Sequence, residues 1–535
     1  MPTTQSPLAI LFFLAFVCIT LWITYVAAKR TKSTNSFYTA EGKITAWQNG
    51  WALAGDFLSA GALLGIAGMI TFNGFDGMVY SIGWLVGWPI MLFLIVEPLR
   101  SVGKFTMADL VAYRLNQRWV RSAAAVGSLT VILFYLIAQM VATGSLIKLL
   151  FGIPYAWSVV LVGAAMLIYV IFGGMIATTW VQVIKAILLL IGGALLSILV
   201  LREFNFNPQA LFKAAADKFG EGVLQPGTGV VPSGWEAISL AMGLMFGTAA
   251  MPHVLMRVYT VKDIQAARRS IGYATGIIGV FHLFVLIIGF GCMVLVGREA
   301  VTSAGGGGNM AAPLLALALG GEAFFGFICA VAFATMLAVV AGLTLSGVAT
   351  LSHDLWANVV RAGDAPEKEK MIVARISTVL IAVLAVGLGV IFEGQNVAFM
   401  AGLAFSVACA ANFPALVLSF SWRGLTTAGA VTSILLGTVV CLVMIYLSPT
   451  IQVDVLKHSL TDIQNEWWFI PLRNPAIIAM PVSLLAAVIV SKLTADRDAA
   501  AKFDEMRSKV IFGNQMPPVD MVDREGTGPL ATSKI

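Results

Sequence analysis

Charge is scarce in this chain: Asp, Glu, Lys and Arg make up 11% of its 535 residues, while 59% are hydrophobic. A soluble domain carries about 25% charged residues, so that class is excluded and a membrane protein is expected. Cysteine is scarcer still. The five cysteines, Cys18, Cys292, Cys329, Cys409 and Cys441, fall inside apolar segments without a C-x-x-C pair. That pattern excludes a disulfide framework or a cysteine metal cluster and leaves them as small core residues. The four histidines, His253, His282, His353 and His458, lie far apart in the chain. No P-loop, G-x-S-x-G or H-E-x-x-H motif occurs, so neither enzyme chemistry nor an enzymatic cofactor is expected. The short alternating segments of an outer-membrane barrel, about ten residues each, are also missing.

What the chain does have is long apolar runs. Thirteen spans are expected, at about 7–28, 46–72, 77–99, 121–150, 154–173, 176–201, 237–257, 270–297, 313–350, 373–392, 397–421, 425–447 and 474–493. Most run about 20 residues or more, enough for a helix to cross a hydrocarbon core of roughly 30 Å. The first lacks a basic leader and is followed by "KRTK" instead of a small-residue cleavage site, so it reads as a retained helix. With the N-terminus outside, the inward loops and tail hold 25 of the 33 Lys and Arg residues and the outward loops hold seven. The positive-inside rule therefore places the C-terminus inside, and the net charge of +6 reports topology, not nucleic-acid binding. Between spans, residues 202–235 read as a partly ordered outward cap, and "GGGG" at Gly305 to Gly308 reads as a flexible connector. Residues 496–510 read as a surface helix, and the tail after Val510 as disordered.

Two spans carry interruptions. The second contains "AGDFLSAG", Ala54 to Gly61, and the seventh "FGTAAMPH", Phe246 to His253, in which Pro252 removes a backbone donor. They lie five spans apart and so cross in opposite directions, as expected if spans 2–6 and 7–11 form an inverted repeat. The implied units are 1–45, 46–201, 202–236, 237–421, 422–493 and 494–535.

A few polar residues inside the spans point to transport. Asp56 sits in the first break. A carboxylate near the bilayer centre costs about 2.5–3.5 kcal/mol on insertion scales and usually marks an ion or proton path. Lys185, about nine residues into the sixth span, either snorkels to the surface or supplies a fixed positive charge near a cation. Tyr135, Gln139 and Thr143 recur at i, i+4 and i+8 on one face, suiting either interhelical hydrogen bonds or a solute-facing wall. Asn412, just before Pro414, carries the same two readings.

Taken with the broken second span, "YVIFGGMIATTW", "MFGTAAMPHVLMR" and "TLSHDLW" resemble the solute:sodium symporter family. "FDGMVYSIGWLVGWPI", "YLIAQMV" and "FATMLAVVAGLTLSG" resemble its cation/acetate symporter branch, from about Phe12 to Lys492. The resemblance implies an all-α membrane protein with a leucine-transporter-type core of spans 2–11, set in a bacterial cytoplasmic membrane. It also implies secondary active uptake of short-chain monocarboxylates such as acetate, coupled to Na+ or H+. The family's sodium site maps onto carbonyls of Ala54, Phe57 and Thr335 and onto hydroxyl positions at Ala338 and Val339. Those last two residues have no side-chain oxygen, which departs from the pattern. A further acid carried by many members falls at Gln182.

Energetics favour symport. An acetate-like acid is an anion at neutral pH, and moving it into a negative-inside cell costs about 2.3 kcal/mol per 100 mV, which one co-transported cation cancels. The expected arrangement has amides around Leu58, Ser59 and Gly247, with Tyr135 and Gln139, holding the carboxylate while Asp56 couples the cation. A passive anion channel, a membrane sensor, or symport of proline, pantothenate or a sugar are the alternatives. Lipid and a small solute are the partners the sequence supports, and it leaves the oligomeric state open.

Overall fold

A computed structural model of the chain describes residues 7–28, 38–59, 61–227, 229 and 233–512. These are helices and turns, with one isolated bridge between Ile44 and Val261 and no strand among the described residues. Lipid offers no hydrogen-bond partners, so a chain this apolar satisfies its backbone within helices. The elements are α1 (Pro7–Ala28), α2 (Ala46–Phe57, resumed as Gly61–Ile66 and Ala67–Asn73), α3 (Met78–Ile90, continued by Met91–Ile95 and Val96–Val102) and α4 (Gln117–Phe151). They continue with α5 (Tyr155–Leu167), α6 (Thr178–Glu203), α7 (Gly234–Ala249 and Pro252–Met256), α8 (Ile264–Leu295) and α9 (Ala311–Val360). Last come α10 (Glu367–Ile391), α11 (Val397–Ala411 and Phe413–Ser421), α12 (Thr427–Tyr446), α13 (Ala476–Leu493) and α14 (Arg497–Phe512).

The expected spans fall on helix, but ten helices among the described residues, not thirteen, are long and apolar enough to cross a membrane. The Gly74–Gly77 turn joins the second half of α2 to α3, while α1 and α5 contribute the shorter apolar stretches Pro7–Ile19 and Tyr155–Leu167. No loop separates α5 from α6: the backbone is helical from Tyr155 to Glu203. Glycine weakens a helix without blocking its hydrogen-bond ladder, so Gly173 and Gly174 do not end it.

Both expected breaks are present. α2 starts on a capping box, in which Thr45 Oγ1 accepts from the Gln48 amide while the Gln48 side chain accepts from the Thr45 amide. It stops after Phe57, where Leu58 leaves the helical region (φ −71°, ψ 72°). α7 runs to Ala249, and its second half restarts at Pro252, whose missing N–H suits a first helical position.

Packing around the breaks is pseudo-symmetric. α2 packs on α6 and α8, and α7 packs correspondingly on α11 and α3, while α4 meets α11 as α9 meets α6. Glycines make the closest approaches. A Cβ on Gly55 would lie 2.4 Å from the Gln182 carbonyl oxygen, and one on Gly247 would lie 2.2 Å from that of Phe405. Each glycine stands just before its break, so the two crossings next to the breaks are backbone to backbone.

The connectors differ from expectation in one place. Gly305 to Gly308 form an ordered turn, not a flexible link. All four have positive φ, Asn396 donates to the Gly307 carbonyl at 3.1 Å, and a Cβ on Gly68 would meet the Gly308 oxygen at 2.3 Å. Glycine is needed there for conformation and for space. The cap contains a helix, Pro208–Phe219, and buried Asp76 accepts from the amides of Gly227 and Gly229, each at 2.7 Å. α14 is the expected surface helix, clasped by Arg114, which donates to Ala499 and lies over the Phe503 ring. The tail from 513 onward lies outside the described residues.

Candidate functional site

Asp56 occupies the last turn of α2 before the break and is 1% exposed. One carboxylate oxygen accepts from Arg257 Nε and the other from Gln182 Nε2. Arg257, also 1% exposed, follows directly on the second half of α7 and donates from a second nitrogen to Thr179 Oγ1 at 2.9 Å. Gln182 donates in addition to the Ala338 carbonyl on α9 at 3.4 Å, and its own side-chain oxygen has no hydrogen-bond partner among the described residues. Lys185, one turn beyond Gln182, is buried and electrostatically coupled to Asp56. Snorkelling is therefore not what it does. A Cβ on Gly342 would lie 2.9 Å from Asp56, which places the carboxylate against α9 one turn past Ala338.

The acid that looked solitary in sequence thus has a guanidinium against it. Arg257 ends "MPHVLMR" and, as the first residue of a basic loop, looked like one more inward-facing charge. Its apolar neighbours on one side were the only sequence signal that it is buried.

The polar stripe on α4 divides. Thr143 donates to the Gln139 carbonyl at 2.5 Å and touches Met336 Sδ at 3.0 Å, so it packs on α9. Gln139 is fully buried with neither amide atom hydrogen-bonded among the described residues. The Tyr135 hydroxyl engages the Ser59 side chain at the break, and its ring lies 5.6 Å from that of His253 and 5.5 Å from that of Phe405. Phe57 meets Trp84 and Trp88 edge-on, at 5.9 and 5.5 Å, and lies 6.2 Å from His282. Both tryptophan Nε1 atoms and His253 Nδ1 lack hydrogen-bond partners among the described residues. Sequence reasoning missed these aromatics, although both tryptophans stand in "SIGWLVGWPI".

Other expected contributors are placed differently. The amides of Leu58 and Ser59 are taken by the carbonyls of Ala54 (2.7 Å) and Phe57 (2.7 Å), so those two sodium-site carbonyls accept protein donors as well. Gly247 lies inside the first half of α7 against the Phe405 backbone, not at the break itself. In this conformation none of the three offers the amide expected of it. Thr335 donates its hydroxyl to Ala332, and Ala338 and Val339 are buried on α9. Asn412 donates to the Ala250 carbonyl at 3.4 Å, tying the kink of α11 to the break in α7.

A second polar cluster joins the α3–α4 connection to the end of α9. Arg121 bridges Asp109 (2.9 Å) and Asp354 (2.7 Å), and His353 contacts Asp109 at 3.2 Å. Three ligand-type residues, Asp109, His353 and Asp354, converge there, and Arg121 bridges the two carboxylates. Burial alone would raise the Asp109 carboxyl. The His353 contact, Arg121 and the Phe105 amide outweigh it and hold Asp109 well below the usual carboxylate range. A cavity of about 450 Å³ opens beside this cluster, lined by Lys104, Gln117, His353 and Asn358 among others. The groups around the breaks are instead sealed, with Asp56, Ser59, Tyr135, Gln139 and His253 all at most 3% exposed.

Comparison with known proteins agrees with this geometry. In fold, the chain is similar to a Na+-coupled sialic acid symporter in a substrate-bound outward-open state, with 15% identity and a TM-score of 0.71 over 92% of this chain and 99% of that one. It is also similar to a mutant manganese transporter of Eremococcus coleocola, with 15% identity and a TM-score of 0.50 over 90% and 97% of the two chains. Mhp1, a nucleobase-cation-symport-1 family transporter, is 17% identical with a TM-score of 0.49 over 88% and 98%. The architecture, shared with the sialic acid symporter over most of both chains, is of the leucine-transporter type. The model of the sodium:solute symporter family matches residues 37–437, well over half of the sequence. The chain belongs to the sodium:solute symporter family.

Proposed function

We propose that this symporter carries acetate and related short-chain monocarboxylates into the cell with Na+, by alternating access around the breaks in α2 and α7. The observation that carries the reading is the buried Asp56, placed between the α2 break and α9 and next to a wall of uncharged donors. Trp84, Trp88, Tyr135, Gln139 and His253 offer N–H and O–H groups among aromatic rings. Such a lining suits a small solute with one polar end and little else to hydrogen-bond, and suits a sugar poorly.

A hard cation wants several oxygen ligands. With no hydroxyl at Ala338 or Val339, the Asp56 carboxylate, the Ala338 carbonyl and the unpartnered Gln182 side-chain oxygen supply oxygens at the same place. Asp56 is the coupling residue, with the buried Lys185 one helical turn beyond its partner Gln182. The N-terminus lies outside and the basic loops face the cytoplasm.

Proteoliposomes test this directly. An inward Na+ gradient at constant pH should accumulate radiolabelled acetate, an imposed proton gradient alone should not, and Asp56→Asn should lower accumulation at least tenfold. Acetate accumulation driven equally well by protons alone, or retained in full by Asp56→Asn, contradicts the proposal. Counterflow in the same vesicles separates a carrier from a passive anion channel.

A further inference from the structure

We infer that Arg257 is the exchange partner that makes cation and solute binding mutually obligatory. It pairs with Asp56 in the unloaded state and passes to the solute carboxylate when a sodium ion takes Asp56. The inference deepens the proposed monocarboxylate symport and rests on it for the identity of the anion.

The starting point is an ion pair, Asp56 with Arg257, in which both side chains are 1% exposed. Removing one partner of such a pair leaves an uncompensated buried charge and is strongly unfavourable, and arginine does not escape by losing its proton. A sodium ion arriving at Asp56 displaces the guanidinium and leaves it in need of an anion. A carboxylate arriving at Arg257 leaves Asp56 in need of a cation. Each event alone is penalised, whereas the two together end with Asp56 on sodium and Arg257 on the carboxylate. The site gains one positive and one negative charge, so its net charge is the same before and after.

Geometry allows the exchange. Arg257 lies one helical turn beyond His253, whose ring lies 5.6 Å from that of Tyr135. The guanidinium that holds Asp56 thus follows directly on the half of α7 that carries His253, one of the donors of the wall. Thr179 holds a second nitrogen at 2.9 Å and anchors the guanidinium on Asp56. On the cation side, Gln182 donates to Asp56, and a half-turn of its amide presents the unpartnered oxygen to an incoming cation. A fixed guanidinium also supplies the bidentate fork that a carboxylate fits.

The test is equilibrium binding of 22Na+ and of radiolabelled acetate to purified, full-length protein. In the unsubstituted protein, saturating acetate should tighten sodium binding about tenfold or more, and sodium should tighten acetate equally. Arg257→Gln should bind sodium at least tenfold tighter without any solute, and acetate should then change that affinity less than twofold. Asp56→Asn is the mirror variant: it should bind acetate tighter and independently of sodium. Arg257→Lys, which keeps the charge, should retain part of the mutual enhancement. A folded Arg257→Gln in which acetate still tightens sodium tenfold, or an Asp56→Asn whose acetate binding still requires sodium, overturns the exchange. Either single variant suffices, so failure of one to fold leaves the other decisive. If the unsubstituted protein binds no acetate, the monocarboxylate reading falls, and the solute-free sodium affinity of Arg257→Gln still decides the role of Arg257.

Discussion

Asp56 and Arg257 stand 201 positions apart, and each changes meaning once the other is beside it. Alone, Asp56 was an expensive acid in a membrane span. Paired, it is half of a dipole whose separation must be compensated twice. Glycines decide as much as charges at this scale. Because a Cβ at Gly55 or Gly247 would strike a neighbouring backbone carbonyl, Gly55→Ala and Gly247→Ala should each cost about 1–3 kcal/mol. Gly272→Ala, where a Cβ meets nothing within 4 Å, should be neutral or slightly stabilising. Thermal unfolding of the purified protein in detergent distinguishes the three. Equal melting temperatures would show that the two crossings relax without cost.

At the scale of elements, the cluster around Arg121 clamps the α3–α4 connection to the end of α9. Arg121→Ala leaves Asp109 and Asp354 facing each other, with a cost of about 3–5 kcal/mol expected for breaking a buried pair. Adding Asp354→Asn should restore part of that loss, which limited proteolysis or thermal unfolding will read. A double variant no more stable than Arg121→Ala would mean the two carboxylates do not oppose each other. The pH dependence has a definite sign. Because the folded-state pKa of Asp109 is depressed, its stabilisation is present above the ordinary carboxylate value near 4 and is lost as pH falls below that value. Asp109→Asn should therefore flatten the loss of clamp stability seen under acid conditions.

Over the whole molecule, orientation and access remain linked predictions. If the N-terminus lies outside, as proposed, a cysteine placed at Lys213 in the cap should react with an impermeant maleimide on intact cells. One placed at Lys502 on α14 should react only after permeabilisation, and both positions are exposed. Exposed Cys18 should first be replaced by serine, whereas the other four cysteines are buried. The reverse labelling pattern would invert the topology.

The sequence by itself determined the class of fold, because apolar runs of about 20 residues with charge held mostly in the loops, and without the short alternating segments of a barrel, leave helices to satisfy the backbone in lipid. It also determined where α2 and α7 break, since proline and clustered small residues act locally. It placed Lys185 and Gln139 among the polar residues worth following. It did not determine that Gly305 to Gly308 pack tightly, that the amides of Leu58 and Ser59 are occupied, or that Thr143 and Asn412 tie helices together. Least of all did it determine that Arg257 belongs to the centre of the molecule. Those were decided by tertiary structure, because a buried charge is affordable only where its partner stands, and the partner comes from the other half of the pseudo-symmetric core.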